Sequence, residues 1–167
     1  MKNKRLLLMC LLVLSSNTYA EDQKPTTIEQ RMQLLLPYIV DQTLESFSKT
    51  VHGGIQHVVV KSADNSVQIK VVQTHLRKMV ERYRKGDFSF SEKLHGADMP
   101  RLAQLKAAKV DDIKYEYQEL TNGGQIHYSS EYPLLVAALH EWFDAQNKQH
   151  GNVEINGHKH HHADNNQ

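Results

Sequence analysis

The sequence has a single cysteine, Cys10, close to the start of a 167-residue chain. Beyond it there is no thiol. Disulfides, thiolate metal ligands and cysteine nucleophiles are therefore excluded from any product that has lost its first residues. A basic excess is missing as well, since Lys plus Arg is 20 and Asp plus Glu is 19. So neutral a chain lacks the charge with which dedicated nucleic-acid binders meet phosphates. The longest apolar run, Leu6 to Leu14, falls far short of the ~20 residues a membrane helix needs. There is no G-x-S-x-G elbow, no P-loop and no Rossmann glycine pattern, so no reaction can be named.

What is present is 40% hydrophobic residues, enough for one globular domain and too few residues for two ordinary ones. Histidine, at eleven, is the compositional outlier. Residues 1–20 read as a secretory signal. Lys2, Lys4 and Arg5 precede the apolar run, and Thr18-Tyr19-Ala20 offers small residues to a peptidase. Cleavage there removes Cys10 and leaves 17 basic against 19 acidic residues. The expected location is periplasmic or secreted, with no stable membrane anchor after cleavage.

Residues 21–151 read as a single α+β domain. Thr26-x-x-Glu29 has the form of a capping box. Ile28, Met32, Leu35, Leu36, Ile39, Val40 and Phe47 then follow at helical spacing, predicting a long helix kinked or split at Pro37. His52-Gly53-Gly54 breaks it. Ile55 to Lys61 is rich in β-branched residues and predicts an inner strand. A turn through Ser62–Ser66 leads to a second helix with Ile69, Val72, Leu76, Met79, Val80 and Tyr83 on its apolar face. Asp87 to Pro100 is irregular, and Arg101 to Ala108 is a short helix.

Ile113, Tyr115 and Tyr117 alternate with polar residues as in a half-buried strand. Asn122-Gly123-Gly124 reads as a hairpin turn, and Gln125 to Ser129 as its return. Pro133 opens a last helix with Leu135, Ala138, Leu139, Trp142 and Phe143 buried. Gly53-Gly54-x-x-His57 recurs seventy residues on as Gly123-Gly124-x-x-His127, which predicts a strand–helix pseudo-repeat. The expected fold is a two-layer α+β sandwich, a small, mainly antiparallel sheet with helices on one face. A ferredoxin-like arrangement lacking its last strand is one form of it.

Several histidine groupings point to metal chemistry. Residues 152–167 read as a disordered tail carrying His158, His160, His161 and His162, with His150 just before it. Imidazole suits copper, zinc and nickel. His57 and His127 would approach each other if their strands are neighbours, and a helix histidine would complete an open three-ligand site. His75 and Met79 lie one turn apart on one helix face, a pair able to hold copper or serve a haem iron. His140-Glu141 lacks the second histidine of a zincin motif. His95 and Asp98, in the irregular segment, are a further candidate pair.

Two segments carry a resemblance. They are Ala97-Asp98-Met99-Pro100-Arg101-Leu102-Ala103-Gln104-Leu105-Lys106-Ala107 and Leu139-His140-Glu141-Trp142-Phe143-Asp144-Ala145-Gln146, the second followed by His150-Gly151 and the His-rich end. The chain resembles a group of small exported bacterial proteins, some of them labelled aspartate carbamoyltransferase. That label is not supported by the motifs: there is no S-T-R-T carbamoyl-phosphate loop and no H-P-x-Q element. The resemblance implies export, a compact α+β body and a His-rich end, and no catalytic residue.

The functional expectation is thus a non-enzymatic, exported metal-binding protein, a buffer or chaperone for copper, zinc or nickel. Its ligands would be His57, His75, His127, His150, His158, His160, His161 and His162. The expected partners are the metal ion and a periplasmic protein, not nucleic acid. A haem or small-ligand module, with His75 or His140 as axial ligand near Tyr83, Trp142 and Phe143, is the alternative, and a non-enzymatic interaction protein another.

Overall fold

A computed structural model describes residues 27–151. The expected signal and the histidine tail, with His158, His160, His161 and His162, lie outside the described residues. The elements run α1 (Ile28–Leu35), a 3-10 turn (Val40–Gln42), β1 (Thr43–Thr50), β2 (Gly53–Val60) and α2 (Ser66–Tyr83). They continue with α3 (Ser89–His95), α4 (Leu102–Ala107), β3 (Lys114–Leu120), β4 (Gly123–Ser129) and α5 (Pro133–Gln149). The four strands form one antiparallel sheet in the order β1-β2-β4-β3. The helices α2 and α5 pack on one face of it. This is the expected two-layer α+β sandwich, but built as ββα–ββα rather than in the ferredoxin-like order.

The difference arises at β1. The predicted long helix stops at Leu35, because Pro37 holds Leu36 extended (φ −75, ψ 136). The capping box sits one residue later than expected, between Thr27 and Gln30. After the 3-10 turn, Thr43, Glu45 and Phe47 point to the helix side, while Leu44 is exposed. An inward glutamate and an outward leucine invert the strand alternation, and so hide the strand from a hydrophobic pattern. The stretch expected to be irregular also differs: it contains α3, seven residues too few for a helical period to show, with Ser91, Leu94 and His95 buried. The longer helices follow the pattern. The buried residues of α2 are Ile69, Val72, Leu76, Met79, Val80 and Tyr83, as expected. In α5 Ala138, Leu139, Trp142 and Phe143 are buried, and the stripe continues into Gln146 and Asn147.

The repeat is a property of the ladder as well as of the sequence. Lys49 pairs with Gly54, and seventy residues on Glu119 pairs with Gly124. Likewise Ser46 pairs with His57 and Glu116 with His127. At the centre Gln56 faces Ile126, so a local twofold axis passes between them. The helices follow with an offset of sixty-seven. Val72, Leu76, Met79, Val80 and Tyr83 of α2 answer to Leu139, Phe143, Gln146, Asn147 and His150 at the end of α5. The second glycine of each pair has a definite reason. A Cβ on Gly54 would strike the Phe143 ring, and one on Gly124 would come within 3.0 Å of Leu76, the equivalent helix residue. Each helix crosses to the opposite hairpin, α2 onto β4 and β3, α5 onto β1 and β2.

Candidate functional site

The crossing brings the C-terminal end of each helix against the outer strand of the other unit. At the α2 end, Tyr83 meets Tyr115 with ring centroids 5.5 Å apart, and Phe88 stacks beside them at 4.9 Å from Tyr83. At the α5 end the equivalent positions are His150 and Glu45, with Nδ1 to Oε2 at 3.2 Å. The side chains are 4% and 13% exposed.

Glu45 is held from two sides. Gln56 Nε2 donates to its Oε1 at 2.6 Å, and the Tyr128 hydroxyl in turn donates to Gln56 Oε1 at 2.7 Å. A second imidazole, that of His95 at the end of α3, stands beside His150 with centroids 5.3 Å apart. Its Nδ1 lies 2.7 Å from Gln149 Oε1. An amide oxygen only accepts, so Nδ1 carries the proton and Nε2 keeps the lone pair. At His150 the Glu45 carboxylate stands beside Nδ1, so Nε2 is the nitrogen away from it. A histidine held at one ring nitrogen presents the other to an electrophile.

Glu45, Gln56, His95 and His150 line a small cavity of ≈ 30 Å³, together with His75, Met79, Tyr38, Phe90 and Gln146. That volume admits an ion or a water molecule, not a macrocycle. His75 is wedged edge-on between Tyr38 at 5.6 Å and Phe90 at 5.3 Å. Two polar atoms at the cavity, His150 Nε2 and Gln146 Oε1, are buried and have no hydrogen-bond partner among the described residues. Such atoms in a native interior call for an explanation.

The electrostatics follow from burial. Desolvation pushes His75, His95 and His150 down to about 4, so all three are neutral at pH 7. For His95 the Gln149 contact works against that shift. Burial also raises the Glu45 carboxyl, while the Gln56 hydrogen bond and the nearby His95 oppose the rise.

The sequence-predicted ligands fall in different places. His150 and His75 reach the cavity. His57 and His127 share the opposite, helix-free face of the sheet, where the neighbouring strands bring them near one another as expected. Gln125 mediates, its Nε2 lying 2.7 Å from His127 Nε2 and 2.7 Å from Gln118 Oε1. Burial lowers the His57 pKa, against a hydrogen bond that its ring donates to Gln125. No described helix packs on that face, so the predicted helix histidine does not join them, and the sheet stands between this pair and the cavity.

His140 is spent on the Thr50 carbonyl (2.9 Å), and Glu141 on a bidentate contact with Arg101. Asp98 is exposed and apart from His95, whose partner is Gln149. Among the described residues no three His, Asp or Glu side chains stand together as a metal-binding group. None of the described helices is long and apolar enough to cross a membrane.

Sequence reasoning missed Glu45, Gln56, Gln146 and Gln149. One signal was available: the buried stripe of α5 runs on at three- and four-residue spacing through Gln146 to His150, polar where a core would be apolar. No protein-family model matches the chain, and neither curated proteins nor solved structures give a match.

Proposed function

We propose that this is an exported metal-ion-binding protein whose ordered site is the cavity at the end of α5. Its ligands are Nε2 of His95 and Nε2 of His150. The observation that carries the reading is the buried Nε2 of His150, which has no hydrogen-bond partner among the described residues and whose other nitrogen lies 3.2 Å from Glu45. The spacing of the two rings agrees with it. Two imidazoles sharing an ion at ~2.0 Å and a tetrahedral angle put their centroids roughly 5 Å apart, against 5.3 Å here. Glu45 and Gln149 act as orienting residues. The tail histidines and the His57–His127 pair serve as additional, weaker donors from which an ion is collected.

The test uses the full chain with His158→Asn, His160→Asn, His161→Asn and His162→Asn, so that the tail does not mask the interior. Titration with copper, zinc and nickel is expected to give one ion per chain and a rise in Tm. His95→Gln and His150→Gln each lower the affinity by about a hundredfold or more, beyond the 10–100-fold typical of an orienting residue. Metal binding that disappears with the tail histidines, or that is indifferent to both interior variants, overturns the reading.

A further inference from the structure

We infer that the ion taken by this cavity is monovalent copper, with the Met79 thioether as a third donor beside His95 and His150. The inference rests on the metal-binding reading and specifies it. Two features of the cavity point the same way. The first is the donor set. Imidazoles and a thioether line one space, and thioether sulfur selects copper(I) over zinc or nickel. Met79 is 5% exposed and sits one turn from His75, so its sulfur is held within the interior.

The second is coordination number. No described trio of His, Asp or Glu side chains is available, which starves zinc of its usual four-ligand shell. A filled-shell monovalent ion is content with two nitrogens and one sulfur. Gln146 Oε1, which has no hydrogen-bond partner among the described residues, stands at the wall to accept a hydrogen bond from a water molecule beside the ion.

The experiment measures copper(I) and zinc(II) affinities side by side, anaerobically, by competition with bicinchoninate for copper and zincon for zinc. It uses the full chain carrying the four tail substitutions, alone and with Met79→Leu, His150→Gln or Glu45→Gln. Met79→Leu conserves volume and is expected to fold. Copper(I) should bind about a hundredfold or more tighter than zinc(II), and Met79→Leu should cost copper(I) about tenfold while leaving zinc(II) unchanged. The copper absorption edge should show a sulfur scatterer that Met79→Leu removes.

Zinc binding as tight as copper, still lost in His150→Gln, overturns the inference and leaves the metal site standing. Copper bound with no sulfur scatterer and no effect of Met79→Leu overturns it too. If neither ion responds to His150→Gln, the metal-binding reading itself fails.

Discussion

The two ends of the sandwich occupy equivalent positions and hold opposite chemistry. Where α2 meets β3 the contact is Tyr83 on Tyr115, backed by Phe88 and Trp142. Where α5 meets β1 it is His150 on Glu45, backed by Gln56, His95 and Gln146. The backbone template is shared, down to the ladder register and the second glycine of each pair. The aromatic end shows what the template needs in order to fold. The polar end is therefore a departure from that template, and local rules broken at one of two equivalent places are where the proposed site is sought.

The largest difference between the ends should appear in acid. His75, His95 and His150 have folded pKa values near 4, below the unfolded value of about 6.5. The unfolded chain therefore binds more protons between these values, and stability falls as pH drops from about 6.5 to 4. For one such histidine the full window amounts to about 3 kcal/mol. Glu45 acts in the opposite sense. Its raised pKa gives stability that is present at low pH and lost as pH rises through the folded value, so it returns part of the loss. Urea unfolding at pH 7, 5.5 and 4.5 measures the slope. His75→Phe should flatten it, while Tyr115→Phe at the other end should leave it unchanged.

Next in size is the contrast between the paired glycines. Gly54→Ala drives a methyl into the Phe143 ring and the Ser48 carbonyl, and should cost about 3 kcal/mol. Gly124→Ala meets only side-chain atoms, at 2.9 to 3.2 Å, and should cost about 1 kcal/mol. Equal losses in thermal denaturation would refute the tighter seating of α5.

Asn147 ranks third. Its amide clamps the edge strand, accepting from Phe47 N–H at 3.2 Å and donating to Phe47 C=O at 2.8 Å. The α2 equivalent is Val80, which has no such bonds to offer. Asn147→Ala should cost about 2 kcal/mol by leaving buried backbone groups unmet, and should speed amide exchange in β1 more than in β3.

The smallest effect is expected from Glu45→Gln. It removes a buried carboxyl and keeps a hydrogen-bonding shape, so stability at pH 7 should rise by about 1 kcal/mol. Metal affinity should drop about tenfold, because His150 loses its orienting acceptor. A variant that loses both stability and affinity would argue that Glu45 serves the fold.

Much of the body was legible in the sequence because its segments obey simple periods. The six buried residues of α2, the alternation of Tyr115 and Tyr117, and Pro133 at the start of α5 all follow from pattern. The glycine pairs exposed the repeat. The reading failed where polar residues interrupt the pattern. Glu45 points inward from β1, so the strand looked like the continuation of a helix. Gln146 and His150 extend an apolar stripe with polar residues, so the stripe seemed to end at Phe143. His95 was visible, but its partner Gln149 is 54 residues away in the chain, a separation no spacing rule spans.

The junction of β2 with β4 also governs how the chain must assemble. Each outer hairpin closes through two residues, Val51-His52 and Thr121-Asn122, and such hairpins form within roughly ten microseconds. The central ladder must wait for everything between Val60 and Gly123 to be gathered in, an entropic delay that grows with loop length. Folding is thus the docking of two similarly folded pieces along one late seam. Because each piece carries the same mould, a seam left open in one molecule fits the corresponding piece of another, and crowded refolding should produce exchanged dimers.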